Sequence, residues 1–118
     1  MLTLPPSTRV FVATRPADMR RSFDGLMAIV RDFLGADPFA GHLFVFRNRG
    51  GDRLKILWWD RDGLAIFYKR LEEGCFTFPA ATGDAPRIEL TAADLQLVLQ
   101  GIDPSKVMRS QRYQRPAA

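Results

Sequence analysis

Between residues 41 and 79 the chain reads GHLFVFRNRGGDRLKILWWDRDGLAIFYKRLEEGCFTFP, four apolar segments separated by short polar turns. The segments are too short for stable helices, are rich in aromatic and branched residues, and are bounded by Gly, Asn and Asp. That pattern predicts a meander of β-hairpins. Strands are expected over 43–46, 53–59, 64–69 and 75–78, with a turn at 48–52 whose glycines supply left-handed backbone and a second hairpin turn at 60–63. Trp58 and Trp59 are neighbours on one strand, so they point to opposite sides of the sheet. Either a second layer covers each face, or one aromatic is left for a partner.

The flanking segments supply material for those layers. Val10, Phe11 and Val12 sit between Pro5–Pro6 and Pro16 and read as a short strand over 9–14. From Ser22, the residues Phe23, Leu26, Met27, Val30, Phe33 and Leu34 recur at spacings of three and four, which predicts one apolar helix face over 22–34. Ser22 is the candidate cap and Gly35 the stop. Gly25, inside that helix, suggests close packing on the sheet or a slightly later helix start. A further strand over 87–90 precedes Thr91 and Asp94, a capping pair for a helix over 91–100 with Leu95, Val98, Leu99 and Ile102 at helical spacing. The predicted class is α+β: a mostly antiparallel sheet of five or six strands packed by two helices.

A chain of 118 residues can bury one core, so a single domain over 1–103 is expected. Residues 104–118 form a basic tail ordered only by a partner. No apolar run reaches the length of a membrane span, and Pro5 and Pro6 interrupt the place a signal peptide would need. A soluble cytoplasmic protein is expected. Cys75 and His42 are single representatives of their types, too few for a structural zinc site.

Charge is placed unevenly, although the net value is only +4. Arg47, Arg49, Arg53 and Lys55 surround the first turn, and Arg61, Lys69 and Arg70 belong to the next hairpin. Lys106, Arg109, Arg112 and Arg115 follow in a tail without acids. Such a cationic set could track phosphates, with Trp58, Trp59 or Tyr68 available to stack, or could meet an acidic protein. Strand-edge cations also serve simply to discourage sheet-to-sheet pairing.

Residues suited to catalysis are few. Asp60 and Asp62, with Glu89 or Asp18 folded close, are the candidate metal-binding carboxylates of a nuclease, but Asp before Gly is also ordinary turn chemistry. His42 stands beside a glycine at a strand start with no nucleophile motif near it, and Cys75 reads as a small core residue. Gly50 and Gly51 lack the lysine and helix start of a phosphate-binding loop. No cofactor and no catalytic or metal residue is expected.

Three stretches have a recognisable wording: DMRRSFDGL (18–26), DPFAGHLFVFRNRGGDRLKILWWDRDGLAIFYKRLEEGCFTFP (37–79) and LTAADLQLVLQGID (90–103). They resemble, in fixed order and over most of the chain, the TnpB accessory proteins of the insertion-sequence-sixty-six group of bacterial transposable elements. A much larger RNA-guided nuclease shares that name and is not similar to this chain. The resemblance implies a product of the element's second open reading frame, non-catalytic, acting in transposition beside a separate transposase. DNA, the transposase or both are the partners it implies. The chain departs from the family's wording at Gly50 and in the tail, which carries Pro104, Ser105, Lys106 and Tyr113.

Overall fold

The computed structural model describes residues 7–107. Five strands form one sheet in the spatial order β4-β3-β2-β1-β5, where β1 is Val10–Ala13, β2 Leu43–Arg47, β3 Arg53–Asp60, β4 Gly63–Arg70 and β5 Arg87–Leu90. The neighbours β2–β3, β3–β4 and β1–β5 are antiparallel, and β1–β2 is parallel. A parallel pair needs a crossover, and helix α1 (Phe23–Asp32) supplies it. The second helix, α2 (Ala92–Leu99), follows β5. This is the expected α+β sheet with two helices.

Strand alternation sorts the apolar residues into two cores. Phe11, Phe44, Phe46 and Leu57 point toward α1, where Leu26, Val30 and Leu34 meet them. Val10, Val12, Leu43, Val45, Leu54 and Ile56 point the other way, toward Leu95, Val98 and Leu99 of α2. Both faces are therefore covered, which explains strands apolar on both sides. Trp58 packs at the margin of the α2-side core, and Trp59 meets Phe39 edge to face at 5.3 Å. Phe44 is fully buried, so truncation to alanine would cost about 3–5 kcal/mol through lost transfer energy and the cavity left behind.

The fourth meander strand expected over 75–78 does not form. After β4, Gly74 adopts φ +77° and the chain crosses the α2-side face instead of pairing along the sheet edge. Phe76 enters the core with Phe78 packed against it, and Cys75 is exposed, its thiol donating to the Gly50 carbonyl at 3.3 Å. Thr91 caps α2 by accepting from the Asp94 amide, whereas Ser22 makes no side-chain cap on α1. Gly25 does not face the sheet: a Cβ there would meet the Arg21 side chain at 3.1 Å. Phe33, assigned by periodicity to the apolar face, is 68% exposed because the helix ends at Asp32 and the chain turns away.

Folded structure continues past residue 103. Asp103 accepts from the Ser105 amide and starts a 3₁₀ turn over Pro104–Lys106, with Pro104 buried.

Candidate functional site

The register of β3 and β4 decides which cations meet. Arg53 is paired directly with Arg70, Lys55 with Tyr68, and the ladder runs on to Asp60 opposite Gly63. Side chains two apart on a strand share a face, so Arg53, Lys55, Tyr68 and Arg70 make a block of four on the α1 side. The block lies on edge strand β4 and its neighbour, beside the turn 48–52.

Lys55 is the buried member, 8% exposed. Its ammonium donates at 2.8 Å to the carbonyls of Met19 and Arg21 and lies 4.7 Å from the Tyr68 ring centroid. An ammonium has three donors, and two carbonyls and an aromatic ring match them. Lys55, expected at the surface, is thus a strut joining β3 to the approach to α1. Tyr68 above it is 47% exposed.

Arg49 and Arg53 share a cleft of about 400 Å³ with the 16–19 segment, Asn48 and Gly50. Arg53 also lines a second cleft of about 350 Å³ with Tyr68, Arg70 and Glu72. Among the described residues, neither the Arg49 nor the Arg53 guanidinium makes a hydrogen bond or ion pair. Arg70 reaches Glu72 at 3.3 Å, an exposed pair of little strength. Asp52 is held below the usual carboxylate range, first by the Asn48 amide at 2.7 Å and further by Arg53 and Arg70. Like charges set directly across a ladder oppose folding by some ~0.2–1 kcal/mol.

The turn carrying Arg49 is held firmly from behind. Asn48 accepts from the Arg53 amide, Phe76 donates its amide to Gly51 O at 2.8 Å, and Leu71 donates to Asp52 O at 2.8 Å. Gly51 is required at φ +78°, where a Cβ would also press on Cys75 at 3.3 Å.

The other sequence-predicted cations are distributed elsewhere. Arg47 faces the α2 side and donates to Thr14 O at 3.0 Å. Lys69 also faces that side and donates to Leu99 O, capping the C-terminal end of α2. Arg61 stands at the far end of the β3–β4 hairpin, separated from Arg70 by the whole ladder, and it, rather than Gly63, takes a left-handed φ, 62°. Lys106 is exposed in the 3₁₀ turn next to α2. Arg109, Arg112 and Arg115 lie outside the described residues. The expected convergence is therefore narrower and different: Arg49, Arg53 and Arg70, with Tyr68 among them. Tyr68 and Arg70 could have been linked to the first turn from sequence only by knowing the hairpin register.

The four candidate carboxylates are not brought together. Asp60 and Asp62 sit in the hairpin tip, Asp18 accepts from Arg20 near the opposite end, and Glu89 pairs with Arg9 on β5. Asp18 is held at about 2 by the Arg20 guanidinium and amide. His42 accepts from the Arg9 amide through Nδ1 at 3.1 Å and packs edge to face on Phe11, a structural role.

Comparison with known proteins identifies two relatives and one family. Two proteins of Sinorhizobium fredii (strain NBRC 101917 / NGR234) are similar along nearly their whole length. Protein y4jC is 40% identical over 101 residues, covering 86% of this chain and 85% of its own. Protein y4hO is 43% identical over 103 residues, covering 87% and 88%. No solved structure matches. The family described as IS66 Orf2 like protein matches residues 8–109, and the chain belongs to that family of transposition-associated accessory proteins.

Proposed function

We propose that this chain is a non-catalytic accessory protein in the transposition of a bacterial insertion sequence, working beside the separate transposase by gripping DNA through its basic rim. The observation that carries the reading is the cross-strand pair Arg53–Arg70, with Arg49 beside it, on a surface where, among the described residues, the Arg49 and Arg53 guanidiniums make no ion pair. Stability alone would favour opposite charges there, and a phosphate backbone supplies them. The strut Lys55 and the carbonyl-bound Arg47 and Lys69 belong to the scaffold that presents these three.

The test is the variant Arg49→Gln/Arg53→Gln/Arg70→Gln, measured for DNA binding at several salt concentrations. If all three meet phosphates of duplex DNA, the log–log salt slope should shrink by roughly 2–3 units, with thermal unfolding unchanged or slightly improved. Affinity and slope equal to those of the unmodified protein would reject the surface.

A second reading, a protein-binding adaptor for the transposase, draws on the exposed aromatics Phe23, Phe33 and Phe39. Co-purification with the transposase that persists in high salt and after nuclease treatment, and is lost on Phe33→Ser, would favour it.

A further inference from the structure

Resting on the DNA-binding reading, the geometry around Tyr68 allows the ligand to be specified more closely. Tyr68 is the only member of the four-residue block that is both aromatic and open: its ring has the Lys55 ammonium 4.7 Å from its centroid on the protein side. Lys55 is itself pinned by two carbonyls, so the ring rests on a fixed support rather than on a mobile chain. Among the described residues the phenol hydroxyl has no hydrogen-bond partner, so the hydroxyl does not explain why an aromatic stands there. Arg53 and Arg70 share with the ring a cleft of about 350 Å³, whose remaining lining residue, Glu72, reaches Arg70 in an exposed pair that a phosphate can displace.

We propose that this cleft is a stacking subsite for an unpaired nucleotide of single-stranded DNA, its base laid on Tyr68 and its phosphates held between Arg53 and Arg70. In a duplex the base faces are hidden in the stack and only phosphates and groove edges are offered, so an exposed ring on a sheet edge gains nothing from paired DNA. An unpaired strand offers both things this surface is built for, a π-face and a charged backbone. The ladder sets Arg53 and Arg70 directly opposite each other at the next same-face position along from Lys55 and Tyr68, so both guanidiniums lie beside the ring on the side of the 48–52 turn.

The test uses the full-length protein, a fluorescent oligothymidylate of about a dozen nucleotides and a mixed-sequence duplex of equal length. Four proteins are compared: unmodified, Tyr68→Leu, Tyr68→Phe and the triple arginine variant. Leucine retains apolar cover over the Lys55 stem, and phenylalanine retains the ring. The expected result is that Tyr68→Leu loses roughly 5- to 100-fold in single-strand affinity while duplex affinity holds, and that Tyr68→Phe behaves as the unmodified protein. The triple variant should lose both.

Equal losses on the two DNAs for Tyr68→Leu, no loss at all, or a loss in Tyr68→Phe matching that in Tyr68→Leu would overturn the stacking subsite. In those cases a triple variant that still loses binding would leave the basic rim standing. A triple variant that binds both DNAs normally would overturn the rim and the subsite together.

Discussion

Replacing Lys55 by methionine separates scaffold from ligand contact most cleanly. The substitution keeps the methylene stem that lies between β3 and the approach to α1 and removes only the ammonium. What is lost are two hydrogen bonds from a charged donor, each about 1.5–3 kcal/mol, and a ring contact of about 1 kcal/mol. What is regained is the cost of holding an ammonium at 8% exposure, several kcal/mol in its own right. The carbonyls of Met19 and Arg21 lie on a half-exposed loop, where water can replace part of what Lys55 gave them. The balance is a loss of about 1–3 kcal/mol. For a domain of this size that lowers the melting midpoint by roughly 5–15 °C, readable from the fluorescence of Trp58 and Trp59 or from circular dichroism. The triple arginine variant should show no comparable drop. If Lys55→Met melted at or above the unmodified protein, the strut argument would be refuted. A charge held there at net cost would then have to be explained by a bound anion.

Other consequences can be checked independently. Gly51→Ala should destabilise by about 1–2 kcal/mol in urea titration, since its φ of +78° disfavours any side chain and the new Cβ presses on Cys75. Arg61→Gly should raise stability by up to about 1 kcal/mol by relieving the left-handed φ of 62°, and leave DNA affinity unchanged because the residue lies at the opposite end of the ladder. Asp18, Asp52, Glu89 and Asp103 are all depressed in the folded state. Their contribution is complete above the unfolded carboxylate values of about 4 and fades as pH falls through the folded ones, down to about 2 for Asp18. A melting-temperature profile between pH 5 and pH 2 should slope downward with acid, and Arg20→Ala should move the Asp18 NMR midpoint upward toward its ordinary value.

Most of the architecture could be read from short-range chemistry. Turn residues and alternation located β1 to β4, and helical spacing located α1 and α2, because these depend on neighbours a few positions away. The lost strand at 75–78 shows where that ceases to work. Its composition suits a strand, yet after Gly74 its apolar residues are drawn across the α2-side face, and Phe76 is worth more in a core than on a ladder. The candidate site failed in the same way. Arg47, Arg49, Arg53 and Lys55 are close in sequence, but alternation sends Arg47 to one face and Lys55 into the interior. Arg70 joins Arg53 only through a register that spans the whole β3–β4 hairpin. Whether a lysine is a surface charge or an internal brace depends on carbonyls over thirty positions away, at Met19 and Arg21.

The backbone bonds that tie the 48–52 turn to residues 71 and 76 couple the two sides of the sheet. Phe76 is rooted among Leu95, Val98 and Leu99 while its amide steadies the loop carrying Arg49. Genetic screens for binding-defective alleles should therefore return lesions deep beneath α2, remote from any charge, whose carriers fold but hold that loop slackly.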